Sequence, residues 1–216
     1  MIYDKRQPWE TDTHLPLFVR GPGIAPGVTV PAVVTMPDLA ATFLDMAGVP
    51  VPAHYDGTSW LPWAAGAGAT PPARAATLVE YAGESDGGGD GAVCARTEGS
   101  AMFCNSDGVY RLPPFFNGSA VCVCQDSTNN TYQCLRAHTA TANFRYCEFA
   151  DAANTVEYFD FAQDPYELVN AAGALAPARK AALSARLAAA KACVGSAACD
   201  AVLSQPLDDG DGGAAW

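Results

Sequence analysis

The chain predicts an α/β protein: the end of a helix-and-strand domain, then a small antiparallel β-sheet subdomain with a packed carboxy-terminal helix. Three observations carry that reading. A capped amphipathic helix sits near 37–48, between turn-rich apolar segments. Short β-type runs alternate with turns between 77 and 170. An Ala-rich stretch at 177–192 repeats Leu183 and Leu187 one helical turn apart. Composition divides the chain into a domain end at 1–65, a linker at 66–76, a cysteine-rich α+β subdomain at 77–203 and a disordered acidic tail at 204–216.

The elements follow in order. Leu15 to Arg20 is short and apolar and bounded by Pro16 and Gly21, which predicts a buried strand. Gly21-Pro22-Gly23 and Pro26-Gly27 are turn chemistry. Thr35 then offers an N-cap, with Pro37 in the first turn and Asp38 as the acid three residues on. Leu39, Phe43 and Met46 recur at helical spacing and predict one apolar face. Gly48 suits the C-cap, and Pro50 and Pro52 prevent continuation.

Past the Ala/Gly/Pro linker, Thr77–Tyr81 is strand-like. Ser85 to Gly91 is a flexible insertion whose aspartates lack the distal glutamate of an EF-hand. Further β-type runs are Val109–Leu112, Ala120–Cys124, Asn143–Phe149 and Thr155–Phe159. Pro177–Ala192 is helical, with Lys191 near its C-terminus.

Charge and cysteines narrow the function. The net charge of −11 opposes nucleic acid and a broad heparin-binding face, both of which need dense positive surface. An anionic substrate would have to be met by a small focused pocket. No apolar run approaches the roughly 20 residues of a membrane-spanning helix.

All eight cysteines (Cys94, Cys104, Cys122, Cys124, Cys134, Cys147, Cys193, Cys199) lie after residue 93. An even, clustered set suits a disulfide framework made in an oxidising compartment. The glycosylation acceptors Asn117-Gly118-Ser119 and Asn129-Asn130-Thr131 point the same way. Cys122 and Cys124 would share one strand face and seek separate partners; zinc is the less favoured alternative. Cys193 and Cys199 could close a small loop around Gly195, and the other pairings stay open. No apolar leader follows Met1, where Asp4, Lys5 and Arg6 arrive instead. A body of exported type without a leader is what a chain lacking its parent's amino-terminal part looks like.

Two motif series carry a family resemblance. In the first, Lys5 precedes Glu10 by five residues and is followed by His14, Pro16 and Arg20-Gly21-Pro22-Gly23, then by the helix and by Asp56-Gly57-Thr58-Ser59-Trp60-Leu61-Pro62. This order resembles the sulfatases. In the second, Leu78-Val79-Glu80-Tyr81 with Gly83-Glu84, Val121 to Asp126, Asn129 to Arg136 and Tyr146-Cys147-Glu148-Phe149 resemble the N-acetylglucosamine-6-sulfatase and arylsulfatase branch. Tyr158-Phe159-Asp160-Phe161 and Asp164 to Asn170 resemble the closing strand-and-turn motif of sulfatases generally, and Cys193 to Cys199 has a counterpart there. The resemblance spans about residues 4–200.

The resemblance implies the end of an alkaline-phosphatase-like sulfatase domain, a calcium ion, and a formylglycine made from cysteine in a Cys-x-Pro-Ser-Arg motif. None of the eight cysteines stands in that motif, and the family's metal-binding aspartate pair and Asp-Asn pair are not matched. It therefore implies the carboxy-terminal portion of a sulfuric ester hydrolase, with neither cofactor held by residues of this chain and the isolated chain inactive. The substrate class would be a sulfated saccharide, leaning to glucosamine-6-sulfate in glycosaminoglycans. The parent would be secreted, lysosomal or in the cell-wall or periplasmic space.

Alternatives are an arylsulfatase fragment that scavenges extracellular sulfate and a non-catalytic disulfide-rich secreted module. Phosphoryl chemistry, which shares the superfamily fold, ranks lowest. A parallel sheet cut through its strands exposes an edge, so the isolated chain is expected to aggregate or stay molten.

Among residues, Lys5 matches the family lysine that contacts the sulfate, a compact charge suited to a sulfate oxygen. His14 falls where relatives carry Arg or Lys, as a substrate-binding candidate with pH-dependent charge. Glu80 could serve as a base but reads better as structural. His54 and His138 match no motif.

Overall fold

The computed structural model describes residues 6–30, 32–65, 73–83 and 130–207. Five α-helices, one short 3-10 helix (Ala172–Ala174) and four strands lie among them: α1 (Glu10–Thr13), α2 (Met36–Met46), α3 (Leu61–Ala64), β1 (Ala76–Tyr81), β2 (Tyr132–Ala137), β3 (Phe144–Phe149), β4 (Val156–Asp160), α4 (Pro177–Ala192) and α5 (Ser196–Leu203). The strands form one sheet in the order β1-β2-β3-β4. The connections 138–143 and 150–155 are too short for parallel crossovers, so β2, β3 and β4 alternate in direction. β1 opposes β2 as well: His138 N–H donates to the Ala75 carbonyl (3.0 Å), and Gly83 N–H donates to Thr131 Oγ1 (3.0 Å).

The described residues fall into two compact units. One comprises 6–14, 80–83, 130–133 and 147–156; the other comprises the rest of the described residues. In the second, Leu135, Phe144, Tyr146, Leu183 and Leu187 are buried. Arg179 of α4 stacks over the Phe144 ring of β3 at 5.3 Å, so the helix packs on the sheet as expected. A separate apolar cluster joins Trp60, Trp63 and Ala64 to Ile24, Val30, Val34 and Leu39.

The helix α2 forms where the sequence places it. Thr35 and Asp38 make a reciprocal capping box, and Gly48 takes the left-handed φ of +68° after the last turn. Its buried face differs from the expected one. Asp38, Ala41 and Thr42 are buried, whereas Phe43 and Met46 are 61% and 45% exposed. The reason is polar: the buried face accepts an arginine and a backbone N–H, as described below.

The strand expected at Leu15–Arg20 is absent. This stretch has no regular secondary structure, and Leu15, Leu17 and Phe18 are exposed. An apolar run signals a demand for burial, but a strand also needs a pairing neighbour, and none of the described strands pairs with this segment.

β2 and α5 went unseen in the sequence. β2 carries Gln133 and Arg136, which break an apolar reading. Arg136 is nonetheless buried, donating to the Ala137 carbonyl and to Asn143 Oδ1 (2.8 Å) and lying 4.1 Å from the Phe161 ring centroid. The runs 85–91, 109–112 and 120–124 lie outside the described residues.

Candidate functional site

The Asp-Gly-Thr-Ser-Trp motif at 56–60 is a clasp. Thr58 N–H donates to Asp38 Oδ1 (2.7 Å), and Thr58 Oγ1 donates to Asp200 Oδ2 (2.7 Å). Ser59 Oγ donates to Asp45 Oδ2 (2.6 Å), and Trp60 N–H donates to Thr42 Oγ1 (3.0 Å). Asp56 Oδ1 accepts the Gly195 N–H (2.8 Å). Gly57 is required by contact rather than by φ, since a Cβ there would lie 2.2 Å from the Pro37 carbonyl oxygen.

At the centre of the clasp stands Arg74, in the stretch read as linker. Its Nη1 and Nη2 donate to Asp38 at 2.6 and 2.9 Å, and its Nε donates to Asp200 at 2.7 Å. Burial alone pushes the Asp38 carboxyl up. The hydrogen bonds from Arg74, Thr35 N–H and Thr58 N–H, with the Arg74 charge, outweigh that and hold it below the usual carboxylate value. Burial likewise disfavours the Arg74 cation, but Asp38 and Asp200 more than compensate and raise its pKa. A carboxylate whose oxygens accept this many donors has no free lone pair for proton transfer, so the cluster reads as structural.

A second buried cluster lies under the Asp-Pro-Tyr-Glu-Leu-Val-Asn motif. Arg145 Nε donates to Glu167 Oε1 (2.6 Å), and its Nη1 donates to Glu157 Oε2 (2.9 Å). Glu167 sits at φ +55°, so the turn inserts its carboxylate while Tyr166, Leu168 and Val169 stay exposed. Asp164 accepts the Val169 N–H, and backbone N–H groups there, Val169 first and then Leu168, lower its pKa. Asn170 Oδ1 accepts from Tyr158 and Ala172 N–H.

The four cysteines among the described residues are oxidised. Cys193 and Cys199 form the expected small-loop disulfide, and Cys134 and Cys147 are disulfide-bonded too.

Of the expected site residues, Lys5, Asn117 and Asn129 lie outside the described residues. Glu10 opens α1, and His14 caps its end with Nδ1 3.2 Å from Glu10 Oε1; the His14 side chain is 77% exposed. Glu80 is exposed on β1. His138 Nε2 lies 2.8 Å from Thr77 Oγ1, and His54 meets Tyr55 edge-on. Among the described residues, no three His, Cys, Asp or Glu side chains converge to hold a metal ion. The calcium that the resemblance implies finds no ligand set there. Sequence reasoning missed Arg74, Arg145 and Asn130, the last of which donates from Nδ2 to the Arg6 carbonyl (3.0 Å).

Comparison with known proteins adds a lineage. The family described as N-sulphoglucosamine sulphohydrolase, C-terminal, matches residues 1–83. N-acetylglucosamine-6-sulfatase of Bos taurus is 36% identical over 193 residues, 89% of this chain and 32% of that protein, and the Homo sapiens enzyme matches equally. Arylsulfatase K of Bos taurus is 28% identical over 169 residues, 78% of this chain and 24% of its own. A solved structure of a protein in complex with its substrate D-glucosamine-2-N,6-O-disulfate matches at TM-score 0.41 and 23% identity, over 70% of this chain and 22% of that one. The chain spans about a third of the length of the N-acetylglucosamine-6-sulfatases it matches. On the sequence matches, which run through both the lysine-to-RGPG segment and the cysteine-rich half, the chain belongs to the sulfatase family and corresponds to the carboxy-terminal part of its members.

Proposed function

We propose that this chain is the carboxy-terminal portion of an enzyme that hydrolyses sulfate esters, acting on the 6-sulfate of glucosamine in glycosaminoglycan-type saccharides. One observation carries the reading. Identity to N-acetylglucosamine-6-sulfatase reaches 36% over 89% of the chain, against 28% over 78% for arylsulfatase K. In this reading Lys5 contacts the sulfate group, supported by its spacing to Glu10, the residue that opens α1. His14, exposed at the end of the same helix, is a secondary contact on the saccharide side.

Formylglycine and calcium, in this reading, are supplied by the portion of the enzyme that precedes this segment in the family. Their role is to furnish a nucleophile and to neutralise sulfate oxygens. Oxidised cysteines support a secreted or lysosomal setting, with Asn117 and Asn129 as glycan acceptors. No helix among the described residues is long and apolar enough to cross a membrane.

The test is to express the longest in-frame product containing this chain in a host that converts cysteine to formylglycine. Sulfate release is then measured from N-acetylglucosamine-6-sulfate and from an aryl sulfate. Release from the sugar, abolished by about 100-fold or more in Lys5→Ala, is the expected outcome. Turnover of the aryl sulfate alone would redirect the substrate to the arylsulfatase reading. No release from either would end the proposal.

A further inference from the structure

α5 is eight residues long, too short to keep its helical shape in water unaided. Only Cys199 and Leu203 of it are buried, so polar contacts to distant parts of the chain largely set its place. Just before it, Gly195 N–H donates to Asp56 Oδ1 (2.8 Å). In its middle, Asp200 accepts from Arg74 Nε and from Thr58 Oγ1, each at 2.7 Å. At its end the Leu203 carbonyl accepts the N–H of Ala75, the residue before β1 (2.9 Å). α5 thereby bridges the 56–60 motif to the start of the first strand.

One covalent bond favours that docking. Cys193, the residue that ends α4, is joined to Cys199 inside α5, six residues on. The cross-link removes freedom from the undocked segment, and reduction returns it. A thiolate must also reach a sulfur to attack it. Cys193 is half-buried, whereas Cys199 is 3% exposed and the disulfide-bonded Cys134 and Cys147 are 0% exposed. Among the described cysteines, Cys193 is the open one.

We propose that Cys193–Cys199 is a redox-sensitive latch on α5. Oxidised, it holds the helix on Asp56, Thr58 and Arg74; reduced, it lets residues 194–205 detach as a unit while α4 stays folded. A dithiol supplies the two electrons. Its first thiolate attacks the Cys193 sulfur, the S–S bond breaks, and Cys199 leaves and takes up a proton. Its second thiolate then displaces Cys193, which is protonated in turn, and the reductant ends as a cyclic disulfide. A chain made in reducing surroundings keeps α5 undocked until it meets an oxidising compartment.

The experiment compares amide hydrogen exchange in the longest in-frame product, kept oxidised, with that in its Cys193→Ser/Cys199→Ser variant. The Ala75 and Gly195 amides, which bond to Leu203 and Asp56, are expected to exchange about tenfold to 100-fold faster in the variant. The Leu183 and Leu187 amides of α4 are expected to keep their rates. Equal acceleration in α4 would show a bond that serves the whole fold, and no acceleration at Ala75 would show that α5 docks without it. Either result overturns the latch.

Should the variant fail to fold, the parent protein carries the test. It is titrated with dithiothreitol, and the thiols released are alkylated and mapped by mass spectrometry. Cys193 and Cys199 are expected to be labelled before Cys134 and Cys147, with Ala75 exchange rising at the same step and Leu187 exchange unchanged. Labelling of all four together, or of Cys134 and Cys147 first, overturns the proposal, as does labelling of Cys193 and Cys199 with Ala75 still protected.

Discussion

Arg74 and Asp38 form a two-pronged ion pair, Nη1 to Oδ2 at 2.6 Å and Nη2 to Oδ1 at 2.9 Å, with side chains 4% and 0% exposed. The pair joins a helix-capping carboxylate to the residue two before β1, and Asp200 completes it at the Nε edge. Removing the guanidinium leaves one buried and one half-buried carboxylate without a counter-ion. Arg74→Met is expected to destabilise the fold by about 3–5 kcal/mol. Urea denaturation of the two proteins checks this, and a difference below about 1 kcal/mol would contradict it.

The same pair gives the fold an acid-sensitive component. Asp38 has a folded pKa below its ordinary value of 3.8. Its contribution is therefore complete above the unfolded pKa and is lost as the pH falls through the lower folded one. The Tm difference between the parent and Asp38→Asn is expected to be constant from pH 7 to about 5 and to shrink below about 4. A difference unchanged down to pH 3 would place the acid sensitivity elsewhere.

Two glycines are fixed by what a methyl group would strike. At Gly195, φ is +83° and a Cβ would lie 2.5 Å from the Ala53 carbonyl oxygen. At Gly57 it would lie 2.2 Å from that of Pro37. Both contacts are with backbone, which cannot swing aside. Gly57→Ala and Gly195→Ala are each expected to cost about 2 kcal/mol or more, against a few tenths for Gly173→Ala, which meets open space. Thermal melts of the three variants read the contrast directly.

These positions show what was legible in the chain. α4 was read with its bounds intact because its period, the proline at its start and its Ala content all agree. The Thr35–Asp38 cap was equally plain. Arg74 was not, because an arginine among Ala, Gly and Pro carries no local sign of partners 36 residues before it and 126 after it. Asn130 was hidden for the same reason: as the middle residue of a glycosylation acceptor it invites a surface reading, and its partner Arg6 lies 124 residues away. Asp56 to Trp60 was recognised as a motif without its purpose, since the groups it satisfies sit on α2 and α5.

α2 tests the difference between pattern and packing. Its period singled out Phe43 as core, yet Phe43 is 61% exposed while Thr42 beside it is fully buried. Thr42 Oγ1 donates to the Asp38 carbonyl (2.7 Å) and accepts the Trp60 N–H (3.0 Å). Thr42→Val preserves the shape but strips the acceptor, leaving a buried N–H without this partner. In the longest in-frame product containing this chain it is expected to cost about 1–3 kcal/mol, whereas Phe43→Ala should stay within about 0.5 kcal/mol. Equilibrium unfolding of both variants decides the point. If Phe43→Ala proved the costlier change, the apolar stripe and not the buried hydroxyl would be what holds α2 in place.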